Sequence, residues 1–454
     1  MEKFFRLKEH GTTVKTEIIA GITTFLAMAY ILAVNPSMLG AAGMNTAGVF
    51  VATALSAAFA TIIMAFWANY PIALASGMGL NAYFAYTVCG SLSAQGIEDP
   101  WRIALTAILV EGIIFIILSA FKFRETLVNS IPENLKYGIT AGIGLFISIV
   151  GLKGAGVIVA NESTLVALGN VGDASVALAL IGIALIGIML YYNIKGAILW
   201  GILITWILGI FAQLSGWYTG VSVLPDFANN SFMAGFAGMG EIAFKFDFSY
   251  VASNVVDFAV IVFAFLFVDL FDTVGTLIGV AAKGDMLDKE GKLPRVGRAL
   301  MADAIGTVAG ACMGTSTVTS YVESSAGVAE GGRTGLTALT TAVLFILSIF
   351  LAPIFLAIPG FATAPALVIV GMLMMSSVSK VKFEGDMADV LGAFVAIIMM
   401  PFTYSIANGI MFGVLVWLVL KVVRGKIKDI HPVMWIVGAL FVLRIVTIIL
   451  GVSS

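Results

Sequence analysis

Long apolar runs alternate with short polar breaks along nearly the whole chain. Runs at 18–39, 46–66, 101–120, 137–152, 174–192, 196–215, 255–282, 297–312, 335–358 and 364–378 approach the roughly twenty residues that a helix needs to cross a bilayer core. Two further stretches, 77–90 and 316–330, are rich in Gly, Ser and Thr. They are too polar to face lipid and are expected to be broken half-helices, because irregular backbone at membrane depth persists only where protein or a cavity satisfies its polar groups. The tail offers 387–400 and 403–421, split by Pro401, and then 432–450. The pattern predicts fourteen spans up to Leu420, with 432–450 as an extra or interfacial helix.

Basic residues test this parse. With a cytoplasmic N-terminus, all 24 Lys and Arg except Arg102, Lys153, Lys245 and Arg444 fall on the inner side, Lys122, Arg124, Lys289 and Lys292 among them. That asymmetry is the positive-inside bias expected of this orientation. Seven spans per half make the second half, from Val255, enter the membrane from the opposite side. The two polar interruptions then hold the third place in each inverted half, the sequence pointer to a transporter's midplane site. Residues 216–254 join the halves as an amphipathic, aromatic connector, read as an interfacial link.

Composition agrees: 60% of residues are hydrophobic and 11% charged, with a mean hydropathy of +1.06, against roughly 25% charge in an average soluble domain. The chain is read as an all-α polytopic membrane protein. A net charge of −2 argues against nucleic-acid binding, and His10 and His431 lie outside the apolar runs. Cys89 and Cys312 sit in apolar context and read as small core residues rather than a disulfide or metal site. The opening MEKFFRLKEHGTTVKTE is too charged for a targeting core, so the first apolar run is expected to be retained. No metal-ligand cluster, nucleophile motif or phosphate loop stands out, so the chain is not expected to be an enzyme.

Three places put polar groups where apolar ones would be cheaper. In PIALASGMGLNAYFAY (Pro71–Tyr86), Gly77 and Gly79 permit close backbone approach and Asn81 offers a donor and an acceptor. These residues fit either helix packing with an interhelical hydrogen bond or a ligand contact. In FAFLFVDLFDTVGTLIGVAA (Phe263–Ala282), Asp269 and Asp272 are three apart and Thr276 lies four beyond Asp272, one helical face. A charge at a helix centre costs about 2.5–3.5 kcal/mol, so two acids within one turn point to function. Burial and a neighbouring like charge favour the protonated form, which makes either a candidate proton carrier. Asp269 can equally serve to hold the bundle.

The third place is GTSTVTSYVESSAGVAEGGRTG (Gly314–Gly335), where Glu323 stands between Tyr321 and Ser324. Its nearest basic neighbour in sequence, Arg333, is expected to pair with Glu330. Acceptor carboxylates and backbone donors in an apolar slot suit a neutral, planar, hydrogen-bonding molecule.

The motifs GMGLN, FDTVGTLIGV and TSYVESSAGVAEGGRTGL, with the opening EHGTTVKTEIIAGITTFLAMAYILAVNP, resemble the AzgA-like hypoxanthine, guanine and adenine permeases of the nucleobase-cation symporter-2 (nucleobase:ascorbate transporter) superfamily. The resemblance runs over nearly the whole chain. It implies about fourteen transmembrane segments in two inverted seven-helix repeats, with short strands in the third and tenth. It also implies a core domain (residues 1–130 and 255–360) facing a gate domain with connector and C-terminal segment (131–254 and 361–454).

Position by position, the resemblance makes Asp272 the helix 8 acid that binds the base, Glu323 the helix 10 glutamate and Asn81 the helix 3 asparagine. Thr276 stands where uracil and xanthine relatives carry a polar or histidine side chain. Gly79, Leu80, Tyr321 and Ser324 complete the expected contacts, and Asp269 has no counterpart. The function implied is proton-coupled uptake of purine nucleobases across the cell (inner) membrane. It would run by an elevator-type movement, in a homodimer formed through the gate, with a proton as coupling ion and no cofactor. The alternative is a sulfate- or bicarbonate-like anion transporter on the same fold, against which two site carboxylates speak.

Overall fold

The computed structural model describes residues 2–120, 132–227, 231–288 and 293–449. Lys122, Arg124, Lys289, Lys292, the expected domain boundary near residue 130 and residue 450 lie outside them. Among the described residues, ten helices are long and apolar enough to cross a membrane. The first crossing is α1 (Val14–Met28) continued by α2 (Ile31–Gly40), and α3 (Thr46–Ile63) follows. Strand β1 (Leu74–Ser76) leads into α4 (Met78–Ala82), whose helical path runs on through a π-segment to Ala94. Next come α5 (Pro100–Ala120), α6 (Glu133–Gly154), the hairpin β2 (Ile158–Asn161) and β3 (Leu165–Leu168), α7 (Ala174–Tyr191) and α8 (Ala197–Leu214).

After the connector helix α9 (Phe232–Ile242) the order repeats. It runs α10 (Val255–Lys283), α11 (Val296–Met313), β4 (Val318–Ser320) with α12 (Ser324–Ala329), and α13 (Gly335–Ser348). It ends with α14 (Gly360–Met375), α15 (Met387–Phe402) and α16 (Ile406–Val423). The inverted two-repeat fold therefore stands as expected, each polar interruption being a strand followed by a half-helix. The short hairpin β2–β3 is not visible in the apolar pattern.

Packing sorts the helices into two groups. In one, α1 lies on α13 and α12, α3 on α11 and α13, and α5 on α11 and α10. In the other, α6 lies on α14, α15 and α16, and α7 on α8 and α14. The connector is more than an interfacial link, because α9 packs directly on α3. A side chain at Gly48 would meet the Gly238 carbonyl carbon at 2.4 Å, and Asn45 Nδ2 donates to Glu241 Oε2 at 2.8 Å. The C-terminal helix α17 (Pro432–Ile449) lies on α10 and α16. It buries Met434 and Phe441, sets Phe441 edge-on to Phe263 and brings Arg444 within 3.6 Å of Asp257. Cys89 is buried, Cys312 half-buried, and both are free thiols.

Two local features of the first crossing shape the site. Pro36 lies inside α2; it lacks an N–H and its ring displaces the carbonyl four residues back. One turn upstream, the backbone tightens into i+3 bonds, Leu32 N to Ala29 O and Ala33 N to Tyr30 O, so the helix breaks at Ala29–Tyr30. Nearer the start, the buried Glu17 accepts from Arg333 N (2.9 Å), Thr334 Oγ1 (2.8 Å), Thr337 N (3.1 Å) and Thr337 Oγ1 (2.7 Å). A carboxylate at a helix N-terminus satisfies orphan amides and meets the positive end of the dipole. Glu17 thereby fixes α1 to the head of α13.

Candidate functional site

The site is built where the two interruptions cross. The β-branched run TSTVTS favours extended backbone, and β4 pairs antiparallel with β1 in the register Leu74 with Ser320, Ala75 with Thr319 and Ser76 with Val318. Gly77 N to Thr317 O and Tyr321 N to Ala73 O, both 3.0 Å, extend the ladder at each end. Gly314 turns the chain into β4 with φ +92°, a conformation that glycine adopts without a Cβ penalty. At Gly77 a Cβ would meet Thr319 Cγ2 at 2.6 Å and lie 3.7 Å from Asp272 Oδ2. Its absence lets the strand end reach the helix 8 acid.

Two carboxylates remain partly exposed beside the buried strands, Asp272 next to Gly77 and Glu323 at the start of α12. The Tyr30 hydroxyl donates to Glu323 Oε1 at 2.6 Å. Asp269 is more enclosed. It is fully buried, and the Thr273 hydroxyl lies 3.1 Å from its Oδ1, 2.9 Å from Asp303 Oδ1 and 2.7 Å from Thr319 Oγ1. The helical-face argument placed Asp269 with Asp272; unlike Asp272, Asp269 is fully buried, and the threonine that meets it also reaches Asp303 of α11 and Thr319 of β4.

The other expected contacts divide likewise. Asn81 is fully buried, and Ser316 Oγ donates to its Oδ1, while its Nδ2 has no hydrogen-bond partner among the described residues. Tyr321 donates to Ser76 O at 2.5 Å, and Ser324 Oγ accepts from Ala73 N at 3.0 Å, so both hydroxyls hold the strand crossing. Gly79 faces α6, where a Cβ would meet Ile143 Cγ2 at 2.9 Å. Leu80 and Thr276 are buried.

Behind the strands lies a polar layer that motif reading missed. Asn35 Nδ2 donates to Thr53 Oγ1 (2.8 Å) and Thr315 Oγ1 (2.9 Å), and Thr315 meets Ser76 Oγ at 2.8 Å. Thr317 Oγ1 donates to Glu111 Oε2 at 2.9 Å, and Asp303 Oδ1 accepts from Ser320 N at 3.1 Å. Glu111 and Asp303 each stand alone in an apolar run, the same signal that singled out Asp272. Tyr30 carried no such signal.

One expected pair is wrong. Glu330 pairs with Lys195 at 2.6 Å, and Arg333 Nη1 donates instead to Val328 O (2.6 Å) and Gly332 O (2.8 Å). The open carbonyls at the end of α12 attract the guanidinium, which leaves Glu330 to the α7–α8 loop. Among the described residues, no cluster of three or more His, Cys, Asp or Glu is arranged to hold a metal.

Paired broken spans meeting between helices of two inverted repeats define a multi-pass membrane permease. A family model described as Permease family, of the xanthine/uracil permease type, matches residues 15–412. The chain belongs to this family and so to the nucleobase:ascorbate transporter superfamily. It is 44% identical over 448 residues to the adenine permease AdeP of Escherichia coli K12, covering 99% of this chain and 96% of that one. It is 43% identical over 444 residues to the guanine/hypoxanthine permease PbuO of Bacillus subtilis 168, covering 97% and 99%. The transmembrane domain of the cyanobacterium bicarbonate transporter BicA shares the fold, with a TM-score of 0.65 at 15% identity over 87% of this chain and 96% of that domain.

Proposed function

We propose that the chain carries purine nucleobases, hypoxanthine, guanine and/or adenine, across the cell (inner) membrane with its N-terminus cytoplasmic. The observation that supports this most is the pair of partly exposed carboxylates at the strand crossing, Asp272 and Glu323. An ionised carboxylate only accepts hydrogen bonds, so the slot calls for N–H donors on its ligand, and the ring edge of a purine supplies them. Asn81 has an amide donor without a partner among the described residues, free for an acceptor on the same ring. The relatives named as adenine and guanine/hypoxanthine permeases agree in substrate class. The anion reading rests on fold likeness alone, and an anion would be repelled by the two acids.

Uptake is coupled to a proton. One of the two acids takes the proton, which lets the pair face a neutral base together and removes charge from a site that must move through the membrane. The strand-bearing group, the core, moves as a body against the α6–α8 and α14–α16 group, the gate, and two copies associate through the latter. Labelled hypoxanthine uptake into proteoliposomes should rise with an inwardly directed proton gradient and collapse with a protonophore. Uptake indifferent to the gradient would remove the coupling, and thermal stabilisation by sulfate or bicarbonate but by no purine would favour the anion reading.

A further inference from the structure

We propose that Tyr30 is a positioning residue of this site: it holds Glu323 by one carboxylate oxygen so that the other is presented to the bound base. The inference rests on the reading of Glu323 as a base contact. Tyr30 stands in the break of the first crossing, and its side chain is 1% exposed while that of Glu323 stays partly open. The tyrosine is thus the buried wall and the carboxylate the accessible one.

A phenol has one hydrogen, and the 2.6 Å separation from Glu323 Oε1 lies in the range of charge-assisted O–H···O⁻ bonds. The other phenol nearby, Tyr321, spends its hydrogen on Ser76 O. Among the described residues, Tyr30 gives Glu323 its side-chain hydrogen bond. The backbone of Glu323 is itself set by the strand and half-helix, through Ser324 N to Tyr321 O (3.1 Å) and Ala326 N to Glu323 O (2.9 Å). The carboxylate also meets its own backbone N–H, and the phenol adds the side-chain donor that holds Oε1. With Oε1 held by the phenol, Oε2 is turned to an N–H of the ligand. The break at Ala29–Tyr30 therefore serves recognition: it brings a donor from the first crossing to the acid of the tenth.

The test is Tyr30→Phe, which keeps the ring and removes the hydroxyl. A lost hydrogen bond to a charged group predicts KM for hypoxanthine raised about 10- to 100-fold, with maximal uptake rate within about two-fold of wild type and an unchanged melting temperature. Tyr30→His, which keeps an N–H donor, should recover part of the affinity. In a Glu323→Ala background, Tyr30→Phe should add nothing. Wild-type KM in Tyr30→Phe, or an equal loss in the Glu323→Ala background, would overturn the proposal. If Glu323→Ala destroys affinity while Tyr30→Phe is silent, the positioning role fails and the site stands. If Glu323→Ala is itself silent, the site reading fails.

Discussion

The hydroxyl of Thr273 lies 2.9 Å from Oδ1 and 3.0 Å from Oδ2 of Asp303, and this contact ties α10 to α11 directly behind strand β4. The same oxygen meets Thr319 on the strand, so Thr273 joins both helices to the floor of the slot. Thr273→Val would keep the shape and take one donor from a buried carboxylate that Ser320 N also reaches. Losing a hydrogen bond to a charged group costs about 1.5–3 kcal/mol, so a lower melting temperature and reduced uptake are expected. Thr273→Ser should restore both. Wild-type melting of the valine variant would show that the hub carries no weight.

Gly77 is set by contact with Thr319. Because a Cβ there would stand 2.6 Å from Thr319 Cγ2, and a strand methyl cannot rotate aside freely, Gly77→Ala should push β1 off β4 and move Asp272's neighbour. Uptake is expected to fall at least about ten-fold, in line with the cost of small misplacements at a site. Thr319→Ser removes the offending methyl and should rescue the alanine variant. No rescue would mean that the defect arises elsewhere.

Lys195 and Glu330 bridge the two helix groups at the end of α12. The pair is 2.6 Å apart with side chains 57% and 27% exposed, so its contribution to stability is small. Its value is as a marker of position. If the core moves against the gate, Lys195→Cys with Glu330→Cys should cross-link readily, block uptake when cross-linked and recover on reduction. Full uptake in the cross-linked protein would contradict an inter-domain movement.

Asp386, the cap of α15, bonds Lys421 at 2.7 Å and Lys426 at 3.0 Å. Those bonds, with Lys421 first, hold its carboxyl well below the ordinary carboxylate range. A depressed value means the stabilisation is complete above the unfolded carboxylate's value, about 3.9, and is lost as pH falls through the lower folded value. Asp386→Asn should therefore melt below wild type at pH 7, with the gap narrowing only below about pH 4. A gap that does not change with acidity would show that the bonds to Lys421 and Lys426 do not carry the effect.

Much of this was legible in the sequence because bilayer physics restricts what a span can contain. Apolar runs located the helices, and glycine, serine and threonine at 77–90 and 316–330 marked the broken half-helices, since irregular backbone at that depth has few other uses. The strands were expected only from the family resemblance, and β1 lies at Leu74–Ser76, just before the first of these stretches. Asp272 and Glu323 were legible as acids out of place. Glu111 and Asp303 gave the same signal. Tyr30 did not, because a tyrosine in an apolar helix is unremarkable until the fold brings Glu323, 293 residues away, to its hydroxyl. Helical spacing put Asp269 beside Asp272, but spacing cannot say which neighbouring element a face meets. The Glu330–Arg333 pairing failed for a related reason: Lys195 comes from a distant loop, and helix-end carbonyls compete for an arginine.

The central claim is that Asp272 and Glu323 bind a purine base. Equilibrium binding of labelled hypoxanthine to purified wild type, Asp272→Asn and Glu323→Gln, each checked for an unaltered melting temperature, tests it directly. The account predicts that the variant of the acid that stays ionised loses at least about 100-fold in affinity, because a neutral amide forfeits a charge-assisted acceptor and presents an unwanted donor, while the variant of the protonated acid loses less. Wild-type affinity in both variants would contradict it.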